Sequence, residues 1–243
     1  MDDTGAGHDT APDNSPAAKR QPPDDSAPVT PGASLVLSPH QDDEINRVAA
    51  LVARESDRGT ALRLVNATDG CATAVRTKLA LSYEQTRRWR DREQASAWSW
   101  LTDDRSPRPI NLGFPDGALV ADALLPAVER ELQALADATG TTPRLYVATW
   151  HPDRPDTVVA DRHPDHVACH RVACRLRDAL GLEVRFGRHV TAARPTGEVV
   201  LPDEHQRLRI EGAIASYTVI GNRSVRTTFE AILAGGGRSV LTE

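Results

Sequence analysis

The stretch Ala33-Ser-Leu-Val-Leu-Ser-Pro-His-Gln-Asp-Asp-Glu-Ile-Asn-Arg-Val-Ala-Ala-Leu-Val-Ala53 decides how the chain is read. Its first five residues form an apolar run of the kind that makes a buried strand. From Ile45 to Ala53 the apolar spacing is that of a helix. Between them, Ser38 to Glu44 places one imidazole, His40, and three carboxylates, Asp42, Asp43 and Glu44, at the end of the strand. Like charges that close raise one another's pKa unless a cation or hydrogen bonds compensate. A divalent metal is the simplest compensating charge, since imidazole and carboxylate together suit zinc and its neighbours. The other reading is a helix start whose acids complement the macrodipole. The motif alone leaves both open.

Working outward, the same strand-then-helix unit recurs. Apolar runs predict strands over Ala61–Ala67, Ile110–Leu112, Arg144–Thr149 and Glu183–Phe186, with a short run at Glu198–Leu201. Helices are predicted over about Tyr83–Leu101, Ala121–Ala138, Val167–Leu180 (closed by Gly181), Pro202–Tyr217 and Val225–Leu233, before a loose glycine-rich ending. This alternation predicts a Rossmann-like α/β domain, a mainly parallel sheet with helices on both faces, spanning residues 33–243 as a single domain. Residues 1–32 are rich in Pro, Asp, Ser and Ala with almost no large apolar side chain, and they read as a disordered tail. In such sheets sites form at the carboxyl ends of strands. The loops expected there are Pro39–Glu44, Thr68-Asp69-Gly70, Gly113–Gly117 and His151–His166.

Composition narrows the partners. A formal net charge of −5 gives no electrostatic case for nucleic acid or anionic membrane. Three cysteines without a CxxC pair argue for a reducing compartment and against a disulfide framework. No apolar stretch approaches a membrane span, and the N-terminus carries no signal-peptide h-region, so the expected location is cytoplasmic. Oligomeric state is not legible.

The residue types then suggest a chemistry. His40 and Asp43 lie three apart at a strand-to-helix junction, and His166 supplies a third donor from a later helix. Two imidazoles and one carboxylate with an open position make a catalytic zinc arrangement. Asp42 is placed to take a proton from water as general base. His163 could protonate a leaving group, or stabilise an oxyanion as an imidazolium, with Asp165 orienting that ring. Arg90 is either a substrate contact or one charge of a solvated helix run. Asp116 is a substrate-side candidate that a Pro-Asp-Gly turn would also explain. His151 either lines the pocket or begins a polar loop.

Ser38-Pro39-His40-x-Asp42-Asp43-Glu44 with His163-Pro164-Asp165-His166 resembles the PIG-L/LmbE family of metal-dependent de-N-acetylases. That family includes GlcNAc-phosphatidylinositol and GlcNAc-inositol deacetylases. Thr68-Asp69-Gly70, Arg90-x-x-Glu93 and Leu112–Gly117 continue the resemblance, which covers about Ala33 to Leu180. It implies zinc, or another divalent metal, on His40, Asp43 and His166, with Asp42 as base and His163 assisting the tetrahedral intermediate. Gln41 stands where the family usually has proline, and Ile45–Ala50 lacks the usual glycines, so Asn46 and Arg47 add bulk near the pocket.

The leading expectation is a hydrolase that removes acetyl from an N-acetylglucosamine-type amino sugar on a soluble small molecule. An Ala-, Arg- and Asp-rich composition poor in Lys suggests a bacterial secondary-metabolite, antibiotic-pathway or thiol-cofactor role. The alternatives are an amidase acting on a sugar-thiol conjugate, a non-catalytic sugar-binding homologue, and a two-metal phosphoesterase. Retention of Asp42 and all three presumed ligands weighs against the second. Confident ligands for only one metal weigh against the third.

Overall fold

The computed structural model describes residues 32–149, 163–188 and 197–243. The expected tail, apart from Gly32, lies outside them, as does His151.

Strand β1 (Ala33–Ser38) leads into helix α1 (Asp43–Asp57), then β2 (Ala61–Thr68), a short helix α2 (Ala74–Lys78) and α3 (Tyr83–Thr102). β3 (Ile110–Phe114), α4 (Ala121–Thr139), β4 (Arg144–Val147), α5 (Pro164–Leu180) and β5 (Val184–Arg188) continue the pattern. β6 (Glu198–Val200), α6 (Glu204–Ala215), α7 (Gly221–Ser224), α8 (Arg226–Ala234) and β7 (Ser239–Thr242) complete it. The sheet runs β3-β2-β1-β4-β5-β7-β6. Its first five strands are parallel, and β7 pairs antiparallel with both β5 and β6.

The apolar runs have a physical reason. A strand covered on both faces needs apolar side chains at every position, and period-two alternation divides them between two cores. Leu35 and Leu37 of β1, Val65 and Ala67 of β2, and Leu145 and Val147 of β4 join the core under α4 and α5. Val36, Leu62, Leu64 and Tyr146 point the other way, into the core built with α1, α3, α6 and α8. Each fully buried aliphatic side chain contributes about 1.5–3 kcal/mol. Helix α1 is buried along nearly its whole length.

Three features differ from the expectation. The loose C-terminal ending is strand β7, lodged between β5 and β6. Four residues after a triple glycine are too few for any periodicity to show. Helix α5 begins at Pro164 rather than Val167, because proline at the first helical turn forgoes only an N–H that has no intrahelical partner. Asp165 and His166 therefore sit in its first turn. The short helices α2 and α7 were not foreseen.

Among the described residues the cysteines are free thiols. Burial pushes the Cys71 thiol up to about 12, with Asp69 adding to the effect, and lifts Cys169 well above its usual value. Cys174 is half-buried. Because the thiolate is the nucleophile, a thiol-specific chromogenic reagent should titrate Cys174 alone in the native protein at mildly alkaline pH. Cys71 and Cys169 should react only after denaturation; rapid native labelling of either contradicts the packing.

Candidate active site

The chain leaves β1 for β2 on one side, while β4 lies on the other, so the carboxyl end of β1 is a topological switch point. The loops after β1, β2 and β3 are stitched together there. Thr68 donates its backbone N–H and its Oγ1 to the Pro39 carbonyl at 3.2 and 2.9 Å. The Asp69 N–H reaches the Phe114 carbonyl at 2.9 Å. Gly70 is required at the turn twice over. Its φ is +63°, and a Cβ would lie 2.1 Å from Gln41 Oε1 and 2.6 Å from Arg90 Nε.

Asp42 occupies the N-cap of α1 at φ 142°, ψ −20°, and its side chain makes no capping bond. A non-glycine residue held in that region marks local strain of the kind that collects at functional sites. Its carboxylate instead faces Arg90 Nη1 at 3.3 Å. Burial lifts the Asp42 carboxyl to about 6, Asp43 adding to the shift and Arg90 opposing it. The helix-start reading of the acidic cluster does not describe this residue.

Asp43 Oδ2 lies 3.2 Å from His40 Nδ1 and 3.2 Å from His166 Nε2. Three donor atoms from β1's loop, the start of α1 and the first turn of α5 thus converge. Each imidazole is held by its remote nitrogen. His40 Nε2 is 3.1 Å from Asp165 Oδ2 and 3.3 Å from Asp116 Oδ1, and His166 Nδ1 is 3.1 Å from Thr149 Oγ1. Remote partners of this kind fix the tautomer and leave the facing nitrogen to bind. Burial would raise the Asp43 carboxyl, but His166 and His40 outweigh it and hold it well below the usual carboxylate range. Burial works against a charged His40, yet hydrogen bonds to Asp116, Asp165 and Asp43 hold its pKa well above the ordinary value. Thr149 was not foreseen in the site; its signal was a lone hydroxyl closing an apolar run.

Asp165 and Asp116 both face His40. Asp165 accepts from the N–H groups of Gly117 and Leu119 at 2.8 and 2.9 Å and bonds His40, while His163 Nδ1 stands 3.8 Å away. Its hydrogen bond goes to His40, with His163 at ion-pair distance. Burial would raise its carboxyl, but the His40 bond and the two N–H groups hold it at about 2. Asp116 is more than a turn residue: Oδ2 accepts from Ala72 N–H at 2.8 Å and Oδ1 faces His40. His163, 44% exposed at its side chain, packs edge-on to His40 at 4.8 Å between ring centroids. Burial and the charge of His40 lower its pKa.

Arg90 departs furthest from expectation. It is buried, donating Nε to the Gly70 carbonyl at 2.8 Å and Nη1 to the Gln41 carbonyl at 3.2 Å as well as to Asp42. It is not a solvated helix charge: its guanidinium ties the Gly70 and Gln41 carbonyls to the Asp42 carboxylate. The next turn of α3 continues the framework. Gln94 Nε2 donates to Glu44 Oε2 at 2.9 Å and to Asn66 Oδ1 at 2.8 Å, and Tyr217 Oη donates to Glu44 Oε1. Burial lifts Glu44 to about 7 against these bonds. The Glu93 carboxylate accepts the N–H groups of Val219, Ile220 and Gly221. Gln41 Nε2 reaches Asp91 Oδ1 at 3.1 Å.

The donor set fits a divalent cation. Asp42, Asp43, Asp116 and Asp165 crowd around two imidazoles with Arg90 as the facing guanidinium, an excess of buried carboxylate that a cation would offset. His40, Asp43 and His166 could hold it.

A family model described as GlcNAc-PI de-N-acetylase, PIG-L, matches residues 35–176. Among solved structures, a deacetylase of teicoplanin biosynthesis aligns with TM-score 0.63 and 16% identity, covering 86% of this chain and 97% of that one. The A40926 pseudoaglycone deacetylase aligns at 0.60 and 19%, covering 85% and 94%. The N,N'-diacetylchitobiose deacetylase of Pyrococcus horikoshii aligns at 0.61 and 15%, covering 86% and 82%. Likeness at such identities is a likeness of fold. No curated protein sequence matches.

Proposed function

The chain belongs to the GlcNAc-PI de-N-acetylase (PIG-L) family, whose model covers more than half of it, and from that premise we propose a metal-dependent de-N-acetylase. Its substrate is an N-acetylglucosamine-type amino sugar carried on a small molecule, in a secondary-metabolite pathway. The teicoplanin and A40926 deacetylases, which share the fold, support the pathway assignment. No helix among the described residues is long and apolar enough to cross a membrane, which is consistent with a substrate met in water.

The observation that carries the reading is the convergence of His40 Nδ1, Asp43 Oδ2 and His166 Nε2 beside a carboxylate, Asp42, turned away from its own helix. His40, Asp43 and His166 would hold zinc or a similar ion. Such an ion, when bound, polarises the acetyl carbonyl and lowers the pKa of water. Asp42 takes the proton from the attacking water as general base. Arg90 holds that carboxylate in place through Nη1. His163, at the exposed edge of the site, donates its N–H to the oxygen that becomes negative as water adds. Asp165 and Asp116 keep the His40 ring in the tautomer that presents Nδ1.

The test is a mass-spectrometric screen of N-acetylated amino sugars, free and conjugated, incubated with the purified protein. Loss of acetyl with release of acetate is the expected result. Cleavage confined to amides that are not on a sugar would overturn the substrate class, and no amide cleavage on metal-loaded protein would overturn the reaction.

A further inference from the structure

Asp42 sits at φ 142°, ψ −20° at the N-cap of α1. A residue other than glycine stays in that region only where its surroundings hold it there. The unit that sets this φ is the Gln41–Asp42 peptide, and it is gripped on both sides. Arg90 Nη1 donates to the Gln41 carbonyl at 3.2 Å, and the Asp42 N–H donates to Glu44 Oε2 at 3.2 Å. We propose that Glu44 is a positioning residue for the general base: it fixes the Asp42 backbone, while Tyr217, from the C-terminal part of the chain, fixes Glu44. The inference rests on the proposed function in taking Asp42 as the base.

The Glu44 carboxylate is itself immobilised. It is buried, Oε2 also accepts from Gln94 Nε2 at 2.9 Å, and Oε1 accepts from Tyr217 Oη. Gln94 is held in turn by Asn66 Oδ1 on β2 at 2.8 Å. The Tyr217 ring has little freedom. It is buried, it packs on Phe229 with centroids 5.3 Å apart, and it lies so close over Gly221 that a Cβ there would come 2.3 Å from Cδ1. The chain just beyond is tied down as well, since Glu93 accepts the N–H groups of Ile220 and Gly221 at 3.1 and 3.0 Å. Arg90, Glu93 and Gln94, spaced three and four apart on α3, face one way. One helix thus braces the base, the carboxylate behind it and the loop that carries Tyr217.

The consequence is specific to turnover. Without an acceptor for its N–H, the Gln41–Asp42 peptide is free to rotate and the Asp42 carboxylate swings off the line to the attacking water. A displacement of that kind costs rate rather than substrate affinity, because the base meets the water and not the sugar. Glu44 acts through geometry, so an amide oxygen in the place of Oε2 serves the Asp42 N–H equally.

The experiment uses the metal-loaded full chain and an N-acetylated amino sugar that the wild type deacetylates. Glu44→Met, Glu44→Gln and Tyr217→Phe are each made alone and together with Asp42→Asn, and kcat, KM and metal per chain are measured. Glu44→Met should lower kcat by ~10–100-fold at unchanged KM and metal content, and Glu44→Gln should recover most of that loss. Tyr217→Phe, which removes one hydroxyl and no core volume, should lower kcat by ~3–10-fold. In the Asp42→Asn background each should change kcat by less than ~2-fold, since no base is left to position. Exchange of the Asp42 amide proton, followed by NMR without substrate, should be at least ~10-fold faster in Glu44→Met. Equal losses with and without Asp42→Asn overturn the proposal, because a packing defect behaves that way. Loss of metal from Glu44→Met overturns it too, since Glu44 would then support Asp43. So does an Asp42 amide that exchanges at the wild-type rate. If Glu44→Met does not fold, Tyr217→Phe decides alone, by its kcat in the two backgrounds. A wild type that cleaves no amide overturns the proposed function instead, and the amide exchange still tests the tether.

Discussion

Asp42→Asn should leave the metal content unchanged and lower turnover on an N-acetylated amino sugar by about 10²–10⁴-fold, the range for removing a general base. The substitution is chosen for its geometry. Asparagine matches aspartate in size and branching, so it adds no steric demand at a position held at φ 142°. Its side-chain oxygen can still accept from Arg90 Nη1, now 3.3 Å from Asp42 Oδ2, so the loop between β1 and α1 keeps its anchor. What asparagine cannot do is receive a proton from water. The carboxylate also sits where burial already lifts its pKa to about 6, so a neutral side chain should not reduce thermal stability. Turnover should be compared with metal content on the same preparation. Full activity would remove Asp42 from the role of base, and loss of the ion would make it a ligand instead.

That prediction could be framed from sequence, but its rationale could not. A strand, a polar turn and a helix are local, and alternation of apolar residues announced which strands would be covered on both faces. The pairing of Asp43 with His40 follows from three residues of separation. The joining of His166 to them follows from the rule that parallel sheets gather their loops at one edge. The roles of Arg90 and Glu44 were hidden because their partners are remote in the chain. Arg90 reaches back to Gln41 and Asp42, and Glu44 meets Tyr217 across 173 positions. No local pattern distinguishes a buried arginine that serves backbone carbonyls from one that decorates a solvated helix. Strand β7 was missed for the opposite reason, since four residues beyond a glycine run carry almost no pattern at all. That Asp165 lies 3.1 Å from His40 as well as 3.8 Å from His163 is a distinction no spacing encodes.

His166→Ala should abolish metal retention, taking the protein from about one ion per chain to nearly none, because three protein ligands are the minimum of a catalytic zinc site. Turnover should fall with it by on the order of 10³-fold or more, since the polarisation supplied by the ion is several kcal/mol of barrier. The loss is more than one ligand. Asp43 Oδ2 would keep His40 as its sole imidazole partner, and Thr149 Oγ1 would lose the Nδ1 that now lies 3.1 Å away. The control is His170→Ala, one turn further along α5, where the imidazole packs on Phe186 with ring centroids 4.7 Å apart and stands apart from the His40–Asp43–His166 set. Both substitutions remove a buried imidazole from the same helix, so both should lower thermal stability. Only His166→Ala should release the ion. If the two variants retained metal equally, the ion would be held elsewhere and the His40–Asp43–His166 assignment would fail. If both lost it equally, His166 would matter for the packing of α5 rather than as a ligand.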